Sequence, residues 1–236
     1  MIFSNKSFFL LSLVALTITI FPYFFSTGPA KWIAKILKVN KSLDHSAWAI
    51  YLQRILGFIW LGGVAAVFML IYENHLIDFY GFGLQKHKMI WLLVTGIIFI
   101  IQCINYFNAS SASNLALYPQ IRKEKWSFSL LVFSTFTWVL YVAAYEFLIR
   151  GVLLFSTLSV YNQATSIAIN VGLYAIIHIP KGLKETLASI PFGVVMCLLT
   201  LESQSIWPAI VVHATLALSN EWFSLYYQPK MSVKWR

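Results

Sequence analysis

Four side chains able to do chemistry stand at depths where membrane helices rarely carry polar groups. Glu146 and Arg150 lie inside the apolar run Ser127 to Thr157, and His178 and His213 lie inside two later apolar runs. A charge at the centre of a spanning helix costs about 2.5–3.5 kcal/mol by insertion scales, so such residues normally face a bundle interior and act there. The i,i+4 spacing puts Glu146 and Arg150 on one helical face. A carboxylate and two imidazoles meeting at mid-membrane form a site for activating water. Glutamate accepts a proton, while imidazole orients the nucleophile or donates to a developing oxyanion. Two histidines and one carboxylate are also a donor set for zinc. Neither histidine lies in an H-E-x-x-H or comparable spacing, so no bound metal and no cofactor are expected. The competing reading of the same residues is structural: Glu146 with Arg150 as a buried ion pair that fixes packing. Likewise Asn170, Tyr174 and His178, recurring at i, i+4 and i+8, suit helix-to-helix hydrogen bonding as well as a catalytic wall. The other histidines, His45, His75 and His87, fall in polar connections.

The elements that must position these groups are membrane helices. The chain is 59% hydrophobic and 11% charged with mean hydropathy +0.74, which excludes a disordered chain or an ordinary soluble domain. The fold class expected is all-α, a polytopic bundle of about seven spans. The spans run Phe8 to Ser26, Trp48 to Tyr72, Met89 to Phe107, Ser129 to Ser156, Gln163 to Ile179, Leu183 to Leu201 and Ser205 to Tyr227, with Pro191 and Pro208 interrupting the last two. The first run is longer than a signal-peptide core and is read as a retained helix. Lys31 to Lys41 has the pattern of a short basic amphipathic helix lying in the interface. Cys103 and Cys197 sit in apolar runs without metal-type spacing and are read as small core hydrophobes. Gly151 is read as permitting close helix approach.

Basic residues orient the bundle. The net charge of +9 comes from short clusters between apolar runs, which is a topology signal and carries no nucleic-acid partner. Lysines 31, 35, 38 and 41, then Arg122, Lys123 and Lys125, then Lys181 and Lys184, then Lys230, Lys234 and Arg236 follow alternate spans. This places the amino terminus outside and the carboxyl terminus in the cytoplasm, most simply of a bacterial cytoplasmic membrane. The chain divides into an amino-terminal three-helix segment (1–108), a cytoplasmic linker (109–126), a four-helix core (127–227) and a basic tail (228–236). Counting residues from the outer helix ends puts Glu146 about 15 Å deep, His178 about 22 Å and His213 about 12 Å. The three therefore lie within about 10 Å of one another in depth.

The residues around these groups resemble three motifs of one family. Tyr145-Glu146-Phe147-Leu148-Ile149-Arg150-Gly151 resembles the E-E-x-x-x-R motif of the CAAX-protease and bacteriocin-processing family. Tyr174-x-x-x-His178 resembles its F-x-x-x-H motif, and Ser205 to Ala209 leading to His213 resembles the approach to its H-x-x-x-N motif. A weaker echo stands at Gly81-Phe82-Gly83-Leu84. The resemblance implies a glutamate-type intramembrane peptidase with a helical fold. Glu146 is then the general base, His178 its assistant and His213 the oxyanion donor. Arg150 holds Glu146 in place, and Tyr145 and Tyr174 support the site. Two positions depart from the family: Tyr145 replaces the first glutamate of the pair, and Ala217 stands where the asparagine belongs. Asn220, seven residues from His213, shares its face and is the substitute. The partners implied are membrane lipid and a peptide or membrane-protein substrate. The departures favour the alternative, a silent bacteriocin-immunity or peptide-binding protein. A small-solute carrier fits less well, because no pair of broken helices recurs in corresponding halves.

Overall fold

The computed structural model describes residue 17 and residues 47–72, 77–84 and 87–234. Apart from Thr17, the first apolar run and the basic segment Lys31 to Lys41 lie outside the described residues. The order is α1 (Ala47–Tyr72), a 3₁₀ turn (Ile77–Tyr80), α2 (Lys88–Ala109), α3 (Ala112–Leu117), β1 (Lys125–Ser127), α4 (Phe128–Glu146), a π-helical turn (Phe147–Leu153) and α5 (Leu154–Leu158). Then come α6 (Gln163–His178), a 3₁₀ turn (Ile179–Lys181), α7 (Leu183–Ser203), α8 (Trp207–Tyr227) and β2 (Ser232–Lys234). The polytopic, all-α bundle expected from the sequence is what forms, because apolar runs in hydrocarbon must bond their backbone internally.

Four helices among the described residues are long and apolar enough to cross a membrane: Ala47–Met69, Lys88–Ala109, Phe128–Leu158 and Leu183–Ser203. They mark the chain as an integral membrane protein. α6 has 16 residues, about 24 Å of rise against a hydrocarbon core of about 30 Å. α8 has 21 residues but carries His213, Ser219, Asn220, Glu221 and Ser224, of which Ser219, Glu221 and Ser224 are buried. Pro208 does not interrupt α8 as its run suggested. The helix starts at Trp207, so the proline sits in the first turn, where its missing N–H has no helical partner to lose. Pro191 does lie within α7.

The amino-terminal helices do not stand apart from the carboxyl-terminal ones. α1 packs along α4, α2 along α8, and α6 along α7. Leu61, Ala65 and Phe68 of α1 share one core with Ala144, Leu148, Val152 and Tyr174. Val94 and Ile101 of α2 share another with Met196, Leu199 and Val212. The linker is ordered. Asn114 Nδ2 donates to Ser224 Oγ at 2.7 Å, and Ile121 and Trp126 are fully buried. β1 and β2 form a short parallel pair that ties the linker to the tail. Ser127 and Asn162 cap α4 and α6 by accepting from Leu130 N–H and Thr165 N–H. Cys197 is buried as expected, whereas Cys103 lies on an exposed face of α2.

Candidate functional site

Glu146 ends α4, and the helix continues from it as the π turn that carries Arg150. Both side chains are 0% exposed. Arg150 Nε lies 3.6 Å from Glu146 Oε2, an ion pair just beyond hydrogen-bond length, and the guanidinium carbon lies 4.6 Å from the centre of the Tyr174 ring. The charge on Arg150 is thus held by the carboxylate and by the face of an aromatic ring. Gly151 behaves as the sequence suggested. A Cβ there would stand 3.1 Å from both the Tyr80 carbonyl oxygen and Phe147 Cδ2, so a larger residue would push the 3₁₀ turn or the Phe147 ring away by a few tenths of an ångström.

The other carboxylate oxygen meets α8. His213 Nδ1 lies 2.5 Å from Glu146 Oε1. Tyr145 and Phe192 stand edge-on to the imidazole with ring centres 5.6 and 5.9 Å away, and Tyr174 lies at 6.3 Å. His213 is 14% exposed, so the imidazole and not the carboxylate reaches accessible space. His178, at the end of α6, joins this group through Tyr174: the two rings are 4.6 Å apart, and His178 Nδ1 bonds the Tyr174 carbonyl at 2.9 Å. Five of the residues singled out by sequence therefore form one contiguous cluster with Glu146 and His213 in direct contact: Tyr145, Glu146, Arg150, Tyr174 and His213. His178 adjoins it. Asn220 stands two turns down α8, about 10 Å along the axis from His213, with its buried Oδ1 bonded to no described residue. Ala217 packs against the Trp138 and Val142 cluster.

The amino-terminal end of α8 is anchored by the Gly81-to-Leu84 segment, which gives that weak motif a physical role. Ile206 N–H donates to the Gly81 carbonyl at 2.9 Å, Trp207 Nε1 to the Phe82 carbonyl at 2.9 Å, and Ser205 Oγ to the Gly83 carbonyl at 2.7 Å. These bonds set the height of α8, and hence of His213, against the π turn.

A second buried polar cluster went unread in the sequence. Arg54 of α1 pairs with Glu221 of α8 at 3.4 Å, donates to Ser134 Oγ and Gln120 Oε1 at 3.0 Å, and lies 4.2 Å over the Trp138 ring. Gln120 N–H closes the network by donating to both Glu221 oxygens at 3.2 Å. Arg54 and Glu221 carried the same signal as Glu146, a charge inside an apolar run.

The bonding fixes the tautomers. A backbone carbonyl only accepts and a carboxylate does so when ionised, so Nδ1 of both histidines carries a proton, an arrangement that leaves Nε2 bare in the neutral form of each ring. A bare Nε2 can take a proton from water. Among the described residues no three His, Cys, Asp or Glu side chains group as a metal site.

Comparison with curated proteins and with solved structures found no match. Residues 126–219, somewhat less than half of the chain, match the family model described as Type II CAAX prenyl endopeptidase Rce1-like. That stretch holds Tyr145, Glu146, Arg150, Tyr174, His178 and His213, and over it the chain is similar to the Type II CAAX prenyl endopeptidase Rce1-like family.

Proposed function

We propose that the protein is an intramembrane peptidase in which Glu146 and His213 activate water as a unit. The observation that carries this is the bond from His213 Nδ1 to Glu146 Oε1, beside an imidazole that reaches accessible space while the carboxylate does not. In this mechanism Nε2 of His213 takes a proton from water as the hydroxide oxygen attacks the substrate carbonyl carbon. The carboxylate stabilises the imidazolium that results, as it does in hydrolytic triads. The imidazolium Nε2–H then donates to the oxyanion and gives its proton to the leaving amine as the C–N bond breaks. His213 is therefore a base before it is a donor, and Glu146 acts through it. His178 accepts the second water proton in a hydrogen bond and so orients the nucleophile. Arg150 keeps Glu146 ionised and aimed. No metal takes part in any of these steps.

Seven spans, an external amino terminus and a cytoplasmic carboxyl terminus complete the reading, in a bacterial cytoplasmic membrane. By its family description the substrate class is a prenylated CAAX peptide or a related membrane-bound peptide. The test uses protein reconstituted in proteoliposomes with an internally quenched farnesylated CAAX peptide. Wild type cleaves it, and the purified protein carries no stoichiometric zinc by elemental analysis. Near-stoichiometric zinc, lost in Glu146→Ala, contradicts the mechanism.

The second reading is a silent binding or immunity protein. It draws on Tyr145 and Ala217 at two motif positions and on the full burial of the Glu146–Arg150 pair. It forecasts no cleavage by wild type and a cellular phenotype that Glu146→Gln leaves intact.

A further inference from the structure

The π turn lies directly between Glu146 and the end of the helix that carries it, and one residue outside both motif histidines holds it open. A π turn is rare, bonds i to i+5, and is frequent at functional sites. It includes Ile149, next to Arg150. The Ile149 carbonyl already accepts the Leu154 N–H, the i+5 bond that defines the turn. It also accepts Asn170 Nδ2 from α6 at 2.6 Å. Asn170 Oδ1 in turn accepts the Cys197 thiol of α7 at 3.2 Å. Asn170 and Cys197 are both fully buried. A carbonyl that has its backbone donor does not need a second one to be satisfied, so the amide does more than rescue a stranded oxygen. It draws the Ile149 carbonyl toward α6 and so fixes the rotation of the next residue, Arg150, about the helix.

We propose that Asn170 is a positioning residue: by clasping the Ile149 carbonyl it locks the π turn and sets the angle at which Arg150 meets Glu146, and hence Glu146 meets His213. This rests on the peptidase reading above. In a regular α-helix the same sequence would swing Arg150 relative to Glu146, because the wide turn advances through a smaller angle per residue. The clasp ties the reacting pair to α6, an element that carries neither member of it.

The test compares Asn170→Leu, which keeps an approximate volume and removes both bonds, with Cys197→Ala, which leaves the clasp on Ile149 in place. Both are reconstituted in proteoliposomes, and kcat and KM for the quenched farnesylated CAAX peptide are measured per folded molecule, with thermal unfolding in parallel. Asn170→Leu is expected to lower kcat about 100-fold at unchanged KM, the scale of loss when a reacting group is displaced by about 1 Å. Cys197→Ala is expected to stay near the wild-type rate. Asn170→Ser, too short to reach the carbonyl, provides the same measurement if the leucine variant does not fold. Wild-type kcat per folded molecule in either asparagine variant overturns the proposal alone. So does failure of both to fold, which assigns Asn170 to stability only. A wild type that cleaves no faster than Glu146→Gln overturns the peptidase reading and this proposal with it.

Discussion

Arg150 is the residue on which the site's electrostatics turn. None of its guanidinium nitrogens has a hydrogen bond to a described residue, and its support comes from Glu146 at 3.6 Å and the Tyr174 ring. Removing one partner of a buried pair leaves an uncompensated charge, so Arg150→Leu is expected to destabilise the protein by about 3–5 kcal/mol in detergent unfolding measurements. Arg150→Lys is expected to restore little, because an ammonium lacks the flat face that lies over Tyr174. Charge within an apolar run made Glu146 and Arg150 legible in the sequence, and the same rule would have found Arg54 and Glu221. Their partnership was not legible, since 167 residues separate them and no motif joins them. Tyr145 was legible as a departure from the family motif. Its ring packing edge-on to His213 could come only from the fold. Asn220 was read as a stand-in on the shared face of α8, and the helical rise separates it from His213 even though the face is shared.

At the level of elements, the helices were legible and the break within one of them was not. Residues 147–153 are apolar on nearly every side, so hydropathy does not register the extra residue that a π turn inserts into the ladder. The anchoring of α8 was half legible: the Gly81-to-Leu84 and Ser205-to-Ala209 segments both stood out, but the bonds that join them did not. Gly81 has φ +78°, and a Cβ there would meet Phe155 Cε2 at 2.9 Å and Ile206 N at 3.1 Å. Left-handed backbone strain alone costs an L-residue about 1–2 kcal/mol. Gly81→Ala is therefore expected to lower thermal stability by at least that amount. It is also expected to loosen the amino-terminal end of α8, read as faster hydrogen exchange at Ile206 and Trp207 than in α7.

For the whole molecule, the apolar runs made the helical bundle legible, and packing decides how its halves join. α1 and α2 lie against α4 and α8, so the segment before the linker contributes to the same cores as the segment after it. That joining was not legible, because apolar faces in a membrane carry no code for which helix they meet. The basic clusters predict a cytoplasmic tail. A green fluorescent protein fused after Arg236 is expected to fluoresce in intact cells, and alkaline phosphatase fused at the same place is expected to be inactive. The reverse pattern contradicts the topology.

The bundle brings the end of α4 and the middle of α8 together as one reacting unit, and non-additivity measures that directly. Glu146→Gln, His213→Ala and the double variant are reconstituted in equal folded amounts and their kcat values compared on the quenched farnesylated CAAX peptide. Each single change is expected to lower kcat by about 10²–10⁴, and the double variant is expected to fall no further than the worse single one, as groups acting as a unit do. A Glu146→Gln protein that cleaves at the wild-type rate, or single losses that multiply in the double variant, contradicts the account.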